Sequence, residues 1–111
     1  MKLVTAVLRP HAVDDVIERL QGVGISGGTT TEVQGFGQQK GRSESYRGAT
    51  YEALVPKTRL EVLLPAEEVE AAVGVITATA STGKVGDGKV WVTDVSDVVR
   101  VRTGDRGAAA L

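Results

Sequence analysis

Three stretches of the sequence carry residue types suited to holding an anion. In Thr82-Gly83-Lys84-Val85-Gly86-Asp87-Gly88-Lys89, Gly86 and Gly88 stand two apart, with Lys84 and Lys89 on either side. Glycines so placed let successive backbone N–H groups aim at one point, a nest for phosphate or carboxylate. The G-x-x-x-x-G-K-[ST] spacing of the nucleoside-triphosphate P-loop is absent. A solvated turn would use the same residues. In Gly35-Phe36-Gly37, running into Gln39-Lys40-Gly41, glycines at the end of a strand allow a close backbone approach to a ligand, or simply a turn. In Arg100-Val101-Arg102, an extended backbone would put both guanidinium groups on one side. Two such forks suit phosphates; they suit surface ion pairs equally.

Other chemistry is excluded by composition. There is no cysteine, hence no disulfide framework, thiolate nucleophile or cysteine zinc site. A single histidine, His11, cannot build a multi-histidine metal site and reads as a surface residue ahead of a helix. The net charge of −1 gives no pull toward nucleic acid or an anionic membrane. No apolar run approaches the roughly 20 residues of a membrane span. The first eight residues are too short for a signal peptide. A cytoplasmic protein is expected, and at 111 residues one domain, 1–111.

The elements that must position these stretches follow from periodicity and punctuation. Lys2 to Leu8 is aliphatic and β-branched, a strand closed by Pro10. Val13, Val16, Ile17, Leu20 and Val23 recur at spacings of three and four, which predicts a helix from Ala12 to Val23. Gly22 and Gly24 mark its stop. Thr29 to Phe36 is a second strand. Residues 37–55 are polar, contain three glycines and show no period, so a long, mobile, functional loop is expected. Lys57 to Leu64 is a third strand, and Pro65 opens a helix with Val69, Ala72, Val73, Ile76 and Ala80 on one face. Lys89 to Val95 is a fourth strand. The tail, 104–111, is expected to be frayed and flexible.

The order β-α-β-β-α-β predicts an α+β, ferredoxin-like domain: one antiparallel sheet with both helices on one face. The other face of a monomer's sheet should be polar. Instead Leu3 and Val7 oppose Val4, Ala6 and Leu8, Leu63 follows Arg59 and Glu61, and Trp91 opposes Val90 and Val92. An apolar second face calls for a partner, and self-association supplies one most directly.

These blocks, in this order, resemble the PII signal proteins from residue 1 to about 108. The matching runs are Thr31-Glu32-Val33 before Gly35-Phe36-Gly37, then Gln39-Lys40-Gly41, Tyr46-Arg47-Gly48-Ala49, Tyr51 and Pro56-Lys57. They continue with Thr82 to Lys89 and Val99-Arg100-Val101-Arg102-Thr103-Gly104. The resemblance implies a signal protein rather than an enzyme, assembled as a homotrimer with ATP or ADP between subunits. It implies that Thr29, Glu61 and Leu63 surround the adenine. Gly35, Gly37, Gly86, Asp87, Gly88 and Lys89 would form the phosphate side, with Arg100 and Arg102 as a clamp from the neighbouring subunit. It places 2-oxoglutarate at Gln39, Lys40, Gly41 and Lys57, with Mg2+ touching Gln39. Tyr51 would be the modification site, and the loop 37–55 the arm that meets targets. Those targets would be an ammonium transporter, a nucleotidylyltransferase or nitrogen-assimilation enzymes. Contact with a membrane would come only through a transporter.

The sequence departs from the family pattern mainly on that arm. Gln38 stands where arginine is usual, and Thr50 where glutamate is usual. The run Glu52-Ala53-Leu54-Val55 is one residue shorter than the common form, and His11 and Arg42 replace commoner residues. The main reading is a sensor of adenylate state and 2-oxoglutarate. A second is a paralogue that reads adenine nucleotides or another small anion without a 2-oxoglutarate response. An enzyme would need a general base, and Asp87 and Glu61, the acids available, are expected to be structural. A plain ferredoxin-like assembly module would bind no nucleotide.

Overall fold

The computed structural model describes residues 1–37, 43–46, 49–52 and 54–111, with backbone alone at 43–46 and 49–52. β1 (Lys2–Leu8) leads through a 3-10 turn at Pro10–Ala12 into α1 (Val13–Gly22). β2 (Thr29–Gly35) follows, then β3 (Ser43–Tyr46), β4 (Ala49–Glu52) and β5 (Val55–Leu64). A 3-10 turn at Ala66–Glu68 opens α2 (Val69–Ala80), and β6 (Gly88–Asp94) ends the sheet. The main sheet runs β2-β5-β1-β6, and its three ladders are all antiparallel. This is the expected α+β ferredoxin-like arrangement.

The period of two in the strands decides the two faces. Val4, Ala6 and Leu8 of β1 are buried beside Leu60, Val62 and Leu64 of β5. Val13, Val16 and Leu20 of α1 and Val69, Ala72, Ile76 and Ala80 of α2 close over them. Among the described residues the opposite face bears no helix. It carries Leu3, Val7, Leu63 and Trp91 between Thr5, Arg59 and Glu61, with Leu63 and Trp91 41% and 44% exposed.

α1 is shorter than predicted. Gly24 has a φ of 89° and donates to the Gln21 carbonyl at 3.0 Å, while Ile25 donates to the Leu20 carbonyl at 3.0 Å. This is a Schellman stop, and the accompanying apolar contact joins Ile25 to Leu20 in the core. The chain therefore leaves the helix axis at Val23, which is exposed rather than part of the buried face.

Two further expectations need correction. Residues 37–55, read as an irregular loop, include a hairpin: Tyr46 pairs with Ala49 and Ser43 with Glu52. β5 also begins at Val55, two residues early, because Val33, Gln34 and Gly35 of β2 pair with Lys57, Pro56 and Val55. The tail is tied rather than frayed. Gly107 donates to the Val98 carbonyl at 2.9 Å, Val99 bridges Arg106, and Gly107–Ala110 forms a 3-10 turn.

Candidate functional site

The loop between α2 and β6 is shaped by one carboxylate. Asp87 accepts hydrogen bonds from the Thr82 amide at 2.7 Å, the Thr82 hydroxyl at 2.5 Å and the Gly83 amide at 3.0 Å. The Thr82 bonds, hydroxyl first, outweigh partial desolvation and hold the carboxyl at a pKa of about 2. Asp87 is thus an anion committed to folding its own loop, as expected of a structural acid, and a poor general base.

Three glycines of this loop, Gly83, Gly86 and Gly88, sit at positive φ, and two of them border the cleft. Gly86 and Gly88 have φ values of 102° and 109°, which L side chains rarely adopt. At Gly88, moreover, a Cβ would lie 1.9 Å from the Val7 carbonyl oxygen. Gly88 is where the loop joins the sheet, opposite Leu8 of β1.

Around the loop opens a cleft of about 610 Å³. One wall is Gly35-Phe36-Gly37 at the end of β2, the other is Lys84 to Lys89, and Val7, Val55, Lys57 and Trp91 form the rest. Binding pockets for small ligands commonly measure about 300–1,000 Å³. Lys57, Lys84 and Lys89 border this cleft together with Asp87, so its lining carries a net positive charge. Burial, and secondarily the charge of Arg9, push the Lys57 pKa down, and Asp87 partly opposes them.

A second cleft of about 900 Å³ lies at the other end of the same sheet. Thr29, Glu61, Leu63 and Leu3 border it, together with Val98, Ala110 and Leu111 from the tail. Arg100 holds that tail by donating to the Leu111 carbonyl oxygen at 2.8 Å, with Asp105 at 3.7 Å.

A model of the nitrogen regulatory protein P-II family matches residues 1–105. The chain belongs to this family. It is 49% identical over 112 aligned residues to nitrogen regulatory protein P-II 1 of Escherichia coli (strain K12), with 100% of both chains covered. It is 48% identical to nitrogen regulatory protein P-II of Klebsiella oxytoca and 47% identical to that of Pasteurella multocida (strain Pm70), again over full length. P-II proteins are signalling proteins, not enzymes.

The residues expected at a P-II nucleotide site fall into two sets here. Gly35, Gly37, Gly86, Asp87, Gly88 and Lys89 border the first cleft, as does Lys57. Thr29, Glu61 and Leu63 border the second. Leu3 and Val7, which mark the two clefts on β1, are four residues apart, or about 13 Å. Arg100 and Arg102 do not share an extended side, because residues 101–103 form a turn, and neither lines the first cleft. Gln39, Lys40 and Gly41 lie outside the described residues, and so does the side chain of Tyr51. Among the described residues no cluster of three acidic or histidine groups could hold a metal ion. No described helix is long and apolar enough to cross a membrane.

Val7, Arg9 and Trp91 adjoin this cleft or its loop, although no motif marked them for it: Val7 and Trp91 read only as apolar residues of the second sheet face. Val7 of β1 and Trp91 of β6 line the cleft, and Arg9, just past β1, reaches the glycine loop; the β1–β6 pairing sets Val7 against Lys89 and Leu8 against Gly88. Val7 is the strand partner of Lys89, whereas Trp91 pairs with Thr5 and Arg9 lies just beyond the ladder.

Proposed function

We propose that this P-II chain is a nitrogen- and energy-status transducer that binds ATP or ADP at three clefts of a homotrimer. The observation that supports this reading most is the glycine loop. Gly86 and Gly88, both at positive φ, stand with Lys84 and Lys89 across the cleft from Gly35 and Gly37. Such a cradle suits a polyphosphate. One copy's first cleft would take the phosphates, and the neighbour's second cleft, with Thr29, Glu61 and Leu63, would take the adenine. This explains why one chain carries the two sets at opposite ends of its open sheet face. Arg100 and Arg102 would add charge from the neighbour, Arg102 being exposed and Arg100 already half-committed to its own tail.

The same reading puts 2-oxoglutarate beside Lys57, with Gln39, Lys40 and Gly41 completing the acid's site and Mg2+ bridging it to ATP. Residues 37–55 would carry the result by contact to an ammonium transporter, a nucleotidylyltransferase or a nitrogen-assimilation enzyme, with Tyr51 as the modification site. A cytoplasmic location fits that role. Calorimetry with ATP, ADP and 2-oxoglutarate, singly and in pairs and with or without Mg2+, tests the assignment. ATP and ADP should bind alone, and the acid only with ATP·Mg. Absence of nucleotide binding would return the chain to a plain assembly role.

One observation favours the narrower alternative, a paralogue without the 2-oxoglutarate response. Lys57 already donates to the Gly86 carbonyl at 2.7 Å. An incoming carboxylate would have to share or displace that bond. Retained ATP binding with no acid binding in any combination would select this alternative.

A further inference from the structure

Arg9 follows the last residue of β1 and precedes Pro10. Its backbone is extended, with φ −60° and ψ 136°, as the following proline requires. The side chain turns to the glycine loop. Nη2 donates to the Val85 carbonyl oxygen at 2.6 Å, and Nε faces Asp87 Oδ1 at 3.4 Å. Only 19% of the Arg9 side chain and 22% of the Asp87 side chain is exposed.

A trans peptide fixes what this contact does. The carbonyl of Val85 and the N–H of Gly86 belong to one plane and point in opposite directions. With the carbonyl held by Arg9, the Gly86 N–H must point away from the guanidinium. Lys57 treats the next peptide alike, holding the Gly86 carbonyl at 2.7 Å and turning the Asp87 N–H the other way. Gly86 gives the chain little resistance of its own to a flip of the Val85–Gly86 peptide, because glycine populates both signs of φ. The selection has to come from outside the loop. Arg9 supplies it with a planar fork that meets a carbonyl and a carboxylate at once, which the point charge of a lysine does not reproduce.

We propose that Arg9 is a positioning residue for phosphate recognition: its fork fixes the Val85–Gly86 peptide and so aims the loop's N–H groups without itself touching the ligand. The inference rests on reading the loop as the phosphate site, and its test separates the two. Full-length protein labelled with 15N-glycine is compared as wild type, Arg9→Met and Arg9→Lys, and each is titrated with ADP and with adenosine. In Arg9→Met the Gly86 and Gly88 amide signals should shift or broaden, while that of Gly74 in α2 stays in place. ADP should weaken about tenfold with adenosine unchanged, and Arg9→Lys should recover part of the loss. Unmoved Gly86 and Gly88 signals in Arg9→Met would overturn the proposal, as would equal weakening of ADP and adenosine. Should Arg9→Met fail to fold, Arg9→Lys decides: loop signals and ADP affinity identical to wild type would overturn it. If wild type binds no ADP while the loop signals still respond to Arg9→Met, the nucleotide reading fails and the role of Arg9 in setting the peptide stands.

Discussion

Lys57 Nζ donates to the Gly86 carbonyl oxygen at 2.7 Å, so β5 and the glycine loop are joined through one cation. The residue expected to meet an acid thus also helps shape the loop expected to meet phosphate. Lys57→Ala should abolish 2-oxoglutarate binding and also weaken ATP several-fold. Loss of a charged hydrogen bond costs at most about 1.5–3 kcal/mol, and solvent entering the gap recovers part of it. Calorimetry on the variant separates the two effects; unchanged ATP affinity would show that the Gly86 bond does not matter to the loop.

Asp87 sets an acid limb. Its folded pKa of about 2 lies below the unfolded value of about 3.9. The unfolded chain therefore takes up this proton first as pH falls. The contribution of Asp87 is fully present above about pH 4 and is lost progressively as pH drops toward 2. Melting temperature measured from pH 6 to 2 should fall more steeply for wild type than for Asp87→Asn, which gives up the contribution at every pH.

Two glycines should respond oppositely to alanine. At Gly88 the added Cβ would meet the Val7 carbonyl oxygen at 1.9 Å, and the φ of 109° would be strained. Gly88→Ala should cost more than about 2 kcal/mol in urea unfolding and disturb the β1–β6 ladder. At Gly74, inside α2, nothing lies within 4 Å of the new methyl group. Gly74→Ala should gain about 0.5–1 kcal/mol by helix propensity alone.

The uncovered sheet face bears on assembly. Leu3, Val7, Leu63 and Trp91 lie on it, and no helix among the described residues covers them. Burying such surface stabilises by about 25 cal/mol per Å². Light scattering at micromolar concentration should report about three times the chain mass of 11.6 kDa. A particle of 11.6 kDa would refute the trimer.

What the sequence disclosed follows the range of the forces involved. Val4, Ala6 and Leu8 against Leu60, Val62 and Leu64, and the face of α2 from Val69 to Ala80, declare themselves because burial imposes a short period. The stop of α1 was only half visible: Gly24 signalled it, but the 6→1 bond from Ile25 to Leu20 fixes where Val23 ends up. The hairpin at Ser43–Tyr46 and Ala49–Glu52 stayed hidden because four-residue strands are too short to establish a period. The order of the tail depends on contacts between distant positions, Gly107 with Val98 and Arg100 with Leu111.

The candidate site divides in the same way. Glycine spacing and the family resemblance pointed to Gly35, Gly37 and the Gly86–Lys89 block, which the fold brings to one cleft. That Thr29, Glu61 and Leu63 sit at a different cleft needed the ladder, where Thr29 pairs with Glu61. Arg9 needed the third dimension entirely, being 76 residues from the carbonyl it holds.

Trp91 is the sole tryptophan of the chain, and it stands in the wall of the first cleft, 44% exposed. The protein therefore carries its own optical probe at that cleft. Indole emission depends on local polarity and on nearby charge, so an anion settling beside Lys89 would change its intensity or colour without any attached dye. Both tyrosines, Tyr46 and Tyr51, belong to the hairpin segment instead. Excitation at the red edge of the absorption band would address the cleft alone, and filling of the site could be followed in real time.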